Sequence, residues 1–250
     1  MAFQFKQFSV EDQMSSMRIG TDAILLGSWA DVTNKQRILE IGTGCGVIAM
    51  MMAQRSIAHV TAIDIHEDSV QQATENFRLS PWDNRLTTCR ISLDDFIDSG
   101  YSPFDMVICN PPFFHHSLKS PLQHRNMARH ASMISHATLP AAVSTILNRS
   151  ESIKEDLING LKENSRGTFN IIIPAIDYKK WEESAIAGGG FVSRKMWISP
   201  KPESPPNRVL IEFCYGRADH LEEKTLMIRN RDHEFTEEYK TLTSAFYLKF

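Results

Sequence analysis

Asn110-Pro111-Pro112-Phe113 closes a short apolar run, Phe104-Asp105-Met106-Val107-Ile108-Cys109, that reads as a buried strand. Two consecutive prolines fix φ and remove two N–H donors, so the chain leaves the strand as a stiff turn with outward carbonyls. An amide side chain, a rigid carbonyl and an aromatic ring are thereby presented together. The set suits a planar amine, with two acceptors for its N–H groups and a ring for its π-face. Asn-Pro and Pro-Pro are also ordinary turn punctuation, and alone the tetrapeptide serves equally as a plain strand exit.

A second group supplies what such a clamp needs. Glu40-Ile41-Gly42-Thr43-Gly44-Cys45-Gly46 follows a first strand and opens a first helix. Its glycines let the backbone approach a ligand without a Cβ clash. The spacing is G-x-G-x-G, because Val47 stands where the dinucleotide fingerprint requires its third glycine. Such a loop suits S-adenosylmethionine, which lacks a pyrophosphate and offers a methionine moiety to backbone groups. Glu40 is placed to orient the site or to bond the ammonium through water. Asp64, 18 residues beyond Gly46 (64 − 46), ends a second strand, where a carboxylate takes both ribose hydroxyls. Asp94 and Asp95 follow a third strand, where an acid accepts the adenine amine. Strand alternation does not separate the two; Asp94 is the favoured candidate, with Phe96 packing on the ring. Asp68 reads as a helix-capping acid.

These groups meet only if one sheet edge carries all of them. Strand-like runs alternate with helix-like ones, the signature of a parallel α/β sheet. The strands are expected at Arg37–Gly42, His59–Asp64, Arg85–Ile91, Phe104–Asn110, Gly167–Pro174, Phe191–Ser199 and Arg208–Tyr215. Helices are expected over Val47–Gln54, Asp68–Leu79 and Asp177–Ala187, the last ended by Gly188-Gly189-Gly190. The result is a Rossmann-like, mostly parallel seven-stranded sheet with helices on both faces, in a single domain over residues 1–250. Residues 1–30 form an N-terminal cap whose short apolar helix starts at a capping Thr21 or Asp22. The core spans about 31–216. Residues 219–250 are charged and then apolar at Tyr239, Leu242, Phe246, Leu248 and Phe250, an amphipathic terminus docked on the core.

Composition narrows the function. At 42% hydrophobic and 23% charged, the 250-residue chain is of ordinary globular type, without a run of membrane-spanning length or a signal peptide. A cytoplasmic location is expected. Cys45, Cys89, Cys109 and Cys214 include no CxxC pair, and four buried reduced thiols are expected rather than a zinc site or disulfides. A net charge of −3 excludes a protein that coats nucleic acid non-specifically. Yet Met106 to Ser150 contains no Asp or Glu. Its four cations, Lys119, Arg125, Arg129 and Arg149, give it a formal +4, and five of the nine histidines lie there, among them His115. This stretch begins at the Asn-Pro-Pro-Phe strand and reads as a local anion-binding lip, with Arg125 and Arg129 on one helical face.

Glu40 through Gly46, Asp64, Asp94 and Asn110 through Phe113 resemble, in kind and order, the motifs of class I S-adenosylmethionine-dependent methyltransferases. The Asn-Pro-Pro-aromatic form is similar to that of enzymes that methylate adenine N6, cytosine N4, guanine N2 or the glutamine amide. Phe5-Lys6-Gln7-Phe8 and Met17 through Ala30 resemble the start of the bacterial enzymes that methylate N6 of adenosine 37 in a valine tRNA. Arg125 through His130, Arg208 through Phe213 and Glu238 through Phe250 resemble their basic segment, last strand and terminus. The segment Ala131 to Asn164 is longer than that family needs.

The resemblance implies a tRNA adenine-N6 methyltransferase, a monomer without a metal, acting on the anticodon loop. S-adenosylmethionine would be held by Thr21, Glu40, Gly42, Gly44, Gly46, Asp64 and Asp94. Asn110 and the Pro111 carbonyl would accept from N6, Pro112 would stiffen the turn and Phe113 would stack on the flipped base. Lys119, Arg125, Arg129 and His115 would contact RNA. A protein glutamine methyltransferase needs the same clamp. Such enzymes usually carry a helical domain before the glycine loop, for which the 39 residues ahead of Glu40 are expected to be too few. A non-catalytic RNA-binding module is the third reading.

Overall fold

The computed structural model describes residues 2–15, 17–112, 134–148, 167–216 and 220–249. A small hairpin, β1 (Phe3–Gln4) and β2 (Ser9–Val10), is followed by α1 (Thr21–Trp29), β3 (Arg37–Ile41), α2 (Val47–Arg55), β4 (His59–Asp64) and α3 (Glu67–Arg78). Next come β5 (Leu86–Arg90), α4 (Leu93–Asp98), β6 (Met106–Cys109), α5 (Leu139–Asn148), β7 (Gly167–Pro174) and α6 (Tyr178–Ala187). Strands β8 (Gly190–Ser199), β9 (Arg208–Tyr215) and β10 (Glu222–Met227) and helix α7 (Glu237–Thr243) complete the described elements.

Strands β3 to β10 make one sheet in the order β10-β8-β9-β7-β6-β3-β4-β5, with β9 antiparallel to both neighbours and the other pairings parallel. Its central strands are apolar on both faces, as a sheet covered on both sides requires. Ile38, Met106, Ile108 and Ile172 face the core beneath α1, α2 and α3. Leu39, Ile41, Val107, Cys109, Phe169 and Ile171 face the core beneath α4, α5 and α6. Strand order reverses at β3, which lies between β4 and β6. Chains diverging there open a crevice beyond the carboxyl ends of the strands.

The expected seven strands are present, and an eighth joins them. Glu222–Met227 was expected to be part of a charged docked terminus; it is instead an edge strand. Its charges select its place: Glu222 and Glu223 stand in register with Arg194 and Lys195 of β8 and pair with them at 3.3 and 3.1 Å. Charged edges also resist further strand addition. Beyond it, Tyr239 is buried and stacked on Phe235, and Phe246 is buried against the N-terminal hairpin, edge-on to Phe5. Helix α5 was not anticipated, because it follows the histidine-rich stretch without a capping acid.

Two further expectations are corrected. Neither Thr21 nor Asp22 caps α1: Gly20 holds the N-cap position without a side-chain bond, Thr21 is the first helical residue, and Asp22 accepts from Arg208 Nε at 2.9 Å. Cys45, Cys109 and Cys214 are buried free thiols, but Cys89 is only half-buried, next to the Tyr101 hydroxyl at 3.6 Å. Among the described residues no helix is long and apolar enough to cross a membrane.

Candidate active site

Register alone assembles the site. Ile63, Ile41 and Cys109 pair across β4, β3 and β6, so the next residues, Asp64, Gly42 and Asn110, leave the sheet side by side at strand spacings of about 5 Å. The clamp residue thus stands next to the glycine loop, and the loop next to the acid.

The glycine loop is bound from below and open above. Gly42 and Thr43 donate to the Ile63 carbonyl at 2.9 and 3.1 Å, and Gly44 donates to Asp64 Oδ2 at 3.0 Å. All three glycines have positive φ: +73° at Gly42, +56° at Gly44 and +83° at Gly46. A Cβ at Gly42 would project into open space, the room a ligand needs against bare backbone, whereas one at Gly46 would stand 2.4 Å from the Phe77 ring. The loop is therefore built from one glycine that leaves space and one that permits packing.

Glu40 does not reach that space. Its side chain is buried beneath the loop, and Oε2 accepts from Thr43 Oγ1 at 2.6 Å and from Ala49 N–H at 3.1 Å. Ala49 is the third residue of α2, whose N-cap is Gly46, which has no side chain to serve that donor. Glu40 does so from the strand, tying β3, loop and helix together. Of the two roles expected for Glu40, these bonds match orienting the site. Burial raises its carboxyl from 4.5 to about 8, reinforced by the charge of Asp64 and opposed by the two hydrogen bonds.

A carboxyl raised in the fold binds more protons folded than unfolded, so its contribution is complete below the unfolded value and is lost as pH rises through the folded one. Stability should accordingly fall between about pH 4.5 and about 8. Glu40→Gln keeps an acceptor and loses the titration. Thermal denaturation should show a smaller decline between about pH 6 and about pH 9 for this variant than for the native chain. Parallel curves would refute it.

Asp64 is buried, with Oδ1 accepting from His66 N–H at 2.9 Å and Oδ2 from Gly44. Each oxygen retains a further lone pair for a ligand hydroxyl. At the end of β5, Asp94 and Asp95 separate by function. Asp95 is the third residue of α4 and exchanges bonds with its N-cap, Ser92: its N–H donates at 3.1 Å and its Oδ2 accepts at 2.6 Å. Asp94 is exposed, and its carboxylate makes no hydrogen bond to described residues. Phe96 is not beside a ligand; it is buried and stacked on Tyr101 with centroids 4.3 Å apart. Asp68 is exposed in the first turn of α3, where its charge suits the helix dipole.

The segment before α1 covers the glycine loop, which sequence reading missed. Asn76 of α3 donates to the carbonyls of Cys45 (2.8 Å) and Glu11 (2.7 Å) and accepts from Glu11 N–H at 3.0 Å. Ser15 Oγ stands 3.0 Å from where a Cβ of Gly44 would be. Asn76, buried at the end of an amphipathic helix, was the available signal. Thr21 reaches the same edge indirectly, since its neighbour Asp22 holds Arg208, which pairs with Pro174 at the carboxyl end of β7.

At the clamp, Asn110 Oδ1 is buried with no hydrogen-bond partner among the described residues. Leaving a buried acceptor unpaired costs about 1–3 kcal/mol. Such an atom at a strand end beside an open glycine loop is arranged for a donor that arrives with a ligand. Pro111 is buried and Pro112 exposed. Phe113, His115, Lys119, Arg125 and Arg129 lie outside the described residues.

The family model for the methyltransferase small domain matches residues 14–139, which include the glycine loop, Asp64, Asp94 and Asn110 through Phe113. A tRNA1(Val) (adenine(37)-N6)-methyltransferase of Bacteroides fragilis is 38% identical over 248 residues, 99% of this chain and 98% of its own length. One from Phocaeicola vulgatus is 37% identical over 98% of this chain and 97% of its own. Among solved structures, a predicted O-methyltransferase from Agrobacterium tumefaciens shares the fold, with a TM-score of 0.63 at 19% identity over 90% of this chain and 96% of its own. With its motif-bearing half matched by the domain model and nearly its whole length by these relatives, the chain belongs to the tRNA1(Val) (adenine(37)-N6)-methyltransferase family.

Proposed function

We propose that the protein transfers a methyl group from S-adenosylmethionine to the exocyclic N6 of adenosine 37 in a valine tRNA. The buried Asn110 Oδ1 at the end of β6, without a partner among the described residues, carries the reading, because it is an acceptor prepared for an amine donor next to a cofactor loop. The relatives' names supply the nucleotide and the tRNA. A cytoplasmic location and action as a monomer accompany this reading.

The residues fit the cofactor. Open space over Gly42 admits a ligand against the backbone, Asp64 keeps lone pairs for the ribose, and Asp94 offers a free carboxylate to the adenine amine. When bound, S-adenosylmethionine supplies an electrophilic methyl on a sulfonium. The chain's own part is to hold the attacking amine. Adenine N6 is a poor nucleophile because its lone pair is delocalised into the ring. Hydrogen bonds from N6 to Asn110 Oδ1 and the Pro111 carbonyl favour a pyramidal nitrogen and return that pair to it. As methylation gives N6 positive charge, the same two acceptors stabilise it. No strong base is needed, since the proton can leave after transfer. Holding amine and methyl in line is worth up to about 7–11 kcal/mol. Phe113 stacks on the extruded base, worth roughly 1–3 kcal/mol.

The test is methyl transfer to total tRNA from a strain lacking the enzyme, read by nucleoside mass spectrometry. N6-methyladenosine should appear at position 37 of a valine tRNA. Its absence, with S-adenosylmethionine binding intact by calorimetry, would defeat the tRNA assignment. Methylation of a protein glutamine instead would move the chain to the other class that shares this clamp.

A further inference from the structure

The cofactor and the substrate must divide one sheet edge. The acids read as cofactor ligands follow β4 and β5, on one side of β3, and the clamp follows β6 on the other. RNA leaving Asn110 therefore has the ends of β7, β9, β8 and β10 before it. Pro174, Arg208 and Ile198 pair in register along that edge, and Met227 pairs with Ser199 just beyond Ile198. The loops 200–207 and 228–236 thus rise on the same side as the clamp. At about 4.8 Å per strand, β8 lies roughly 14 Å and β10 roughly 19 Å from β6.

Those two loops form the walls of an open groove lined by Lys201, Glu203, Ser204, Asn230, Arg231 and His233, with Pro202 between. Three features mark it as a built site. Glu203 and His233 both have φ of +63°, and they are two of the three non-glycine residues with positive φ among those described, one in each wall. Such backbone is uncommon for residues with a Cβ, persists only where surrounding contacts hold it, and clusters at functional sites. The tip of the second wall is preorganised, because Asn230 Oδ1 accepts from the N–H groups of Asp232 (3.0 Å) and Glu234 (2.9 Å), and Arg229 lies 4.1 Å over the Phe235 ring. The walls are joined by an exposed ion pair, Arg231 to Glu203 at 3.0 Å, with side chains 80% and 79% accessible. A pair so exposed contributes little and yields readily to a phosphate. Lys201 is exposed and makes no ion pair among the described residues.

We infer that this groove binds the phosphate backbone of the tRNA, Lys201 and Arg231 each taking one phosphate near the methylated nucleotide. The inference rests on the tRNA reading above. With Glu203, Asp232 and Glu234 standing among the cations, binding rests on local contacts of Lys201 and Arg231 rather than on a net positive surface. Ile176, 89% exposed in the short turn after β7, lies along the path and supplies an apolar contact to sugar or base. The turn is fixed by the Ala175 N–H bond to the Asn207 carbonyl at 3.2 Å.

The test compares the native chain with Lys201→Glu/Arg231→Glu, its neutral counterpart Lys201→Gln/Arg231→Gln, and Lys35→Glu at the opposite sheet edge. The charge-reversed variant should raise KM for tRNA by about tenfold or more with kcat within about twofold, and lower the salt dependence of binding by one to two phosphates. The neutral variant should show a smaller rise, and Lys35→Glu none. Affinity for S-adenosylmethionine, measured by calorimetry, should be unchanged in all, which also reports folding. Unaltered KM and salt dependence in both groove variants, with the native chain methylating tRNA, would overturn the groove while leaving the function standing. A native chain inactive on tRNA would overturn both.

Discussion

Asn110→Ala should lower kcat on tRNA by about 10³-fold or more while S-adenosylmethionine binding changes by less than about twofold. The size follows from what the oxygen does. In the role proposed for it, the oxygen accepts from N6 in the ground state and bonds more strongly as positive charge develops there, so its loss would fall on the transition state. Its Oδ1 is buried without a partner among the described residues, so the substitution breaks no bond to that oxygen there. Stability should therefore stay the same or rise, since an orphaned acceptor disappears. Asn110→Asp keeps an acceptor of the same shape and should retain more activity than alanine. Single-turnover assays with radiolabelled cofactor measure this. An alanine variant with near-native kcat, or one whose defect lies wholly in cofactor affinity, would remove Asn110 from the chemistry.

Gly46→Ala and Gly42→Ala should fail in different ways. At Gly46 a methyl group meets both a φ of +83° and the Phe77 ring 2.4 Å away. Left-handed backbone costs an L-residue roughly 1–2 kcal/mol, and overpacking adds a similar amount. A loss of about 2–4 kcal/mol of stability is expected, with Phe77→Leu in the same chain recovering the packing part only. At Gly42 the φ of +73° exacts the first penalty alone, because nothing lies within 4 Å of the new Cβ. Its methyl instead enters the space left for the cofactor, and affinity should fall by about tenfold or more, with stability reduced by about 1–2 kcal/mol. Denaturation and calorimetry separate the two. Equal losses of affinity and stability at both positions would mean that the loop has no dedicated ligand face.

Much of this was legible in the chain. Strands β4, β7 and β9 fall at the expected residues, and β3, β5, β6 and β8 within one or two, because buried parallel strands are short apolar runs bounded by glycine, proline and polar turns. The edge strand β10 was not, since Glu222-Glu223-Lys224-Thr225-Leu226-Met227 has a charged character that only its partners on β8 explain. Candidate ligand groups were legible by type. Their assignments depended on which way each side chain turned, and a one-residue step along a strand reverses that. Alternation could not separate Asp94 from Asp95; in the structure only Asp95 is engaged by the Ser92 hydroxyl, which favours Asp94 as the proposed ligand.

By itself the sequence determined seven of the sheet's eight strands, their order along the chain, the glycine loop and the stiff Asn-Pro-Pro turn, since each depends on local composition and on backbone limits that proline and glycine impose. Only the tertiary structure decided that Glu40 supports the loop from beneath, that Asn76 fastens the N-terminal segment over it, and that Asn110 Oδ1 stands buried without a partner among the described residues. Those facts depend on contacts between residues far apart in the chain, such as Asn76 with Glu11 and Cys45, and on register across neighbouring strands. Spacing along one chain carries no record of which distant donor reaches which acceptor.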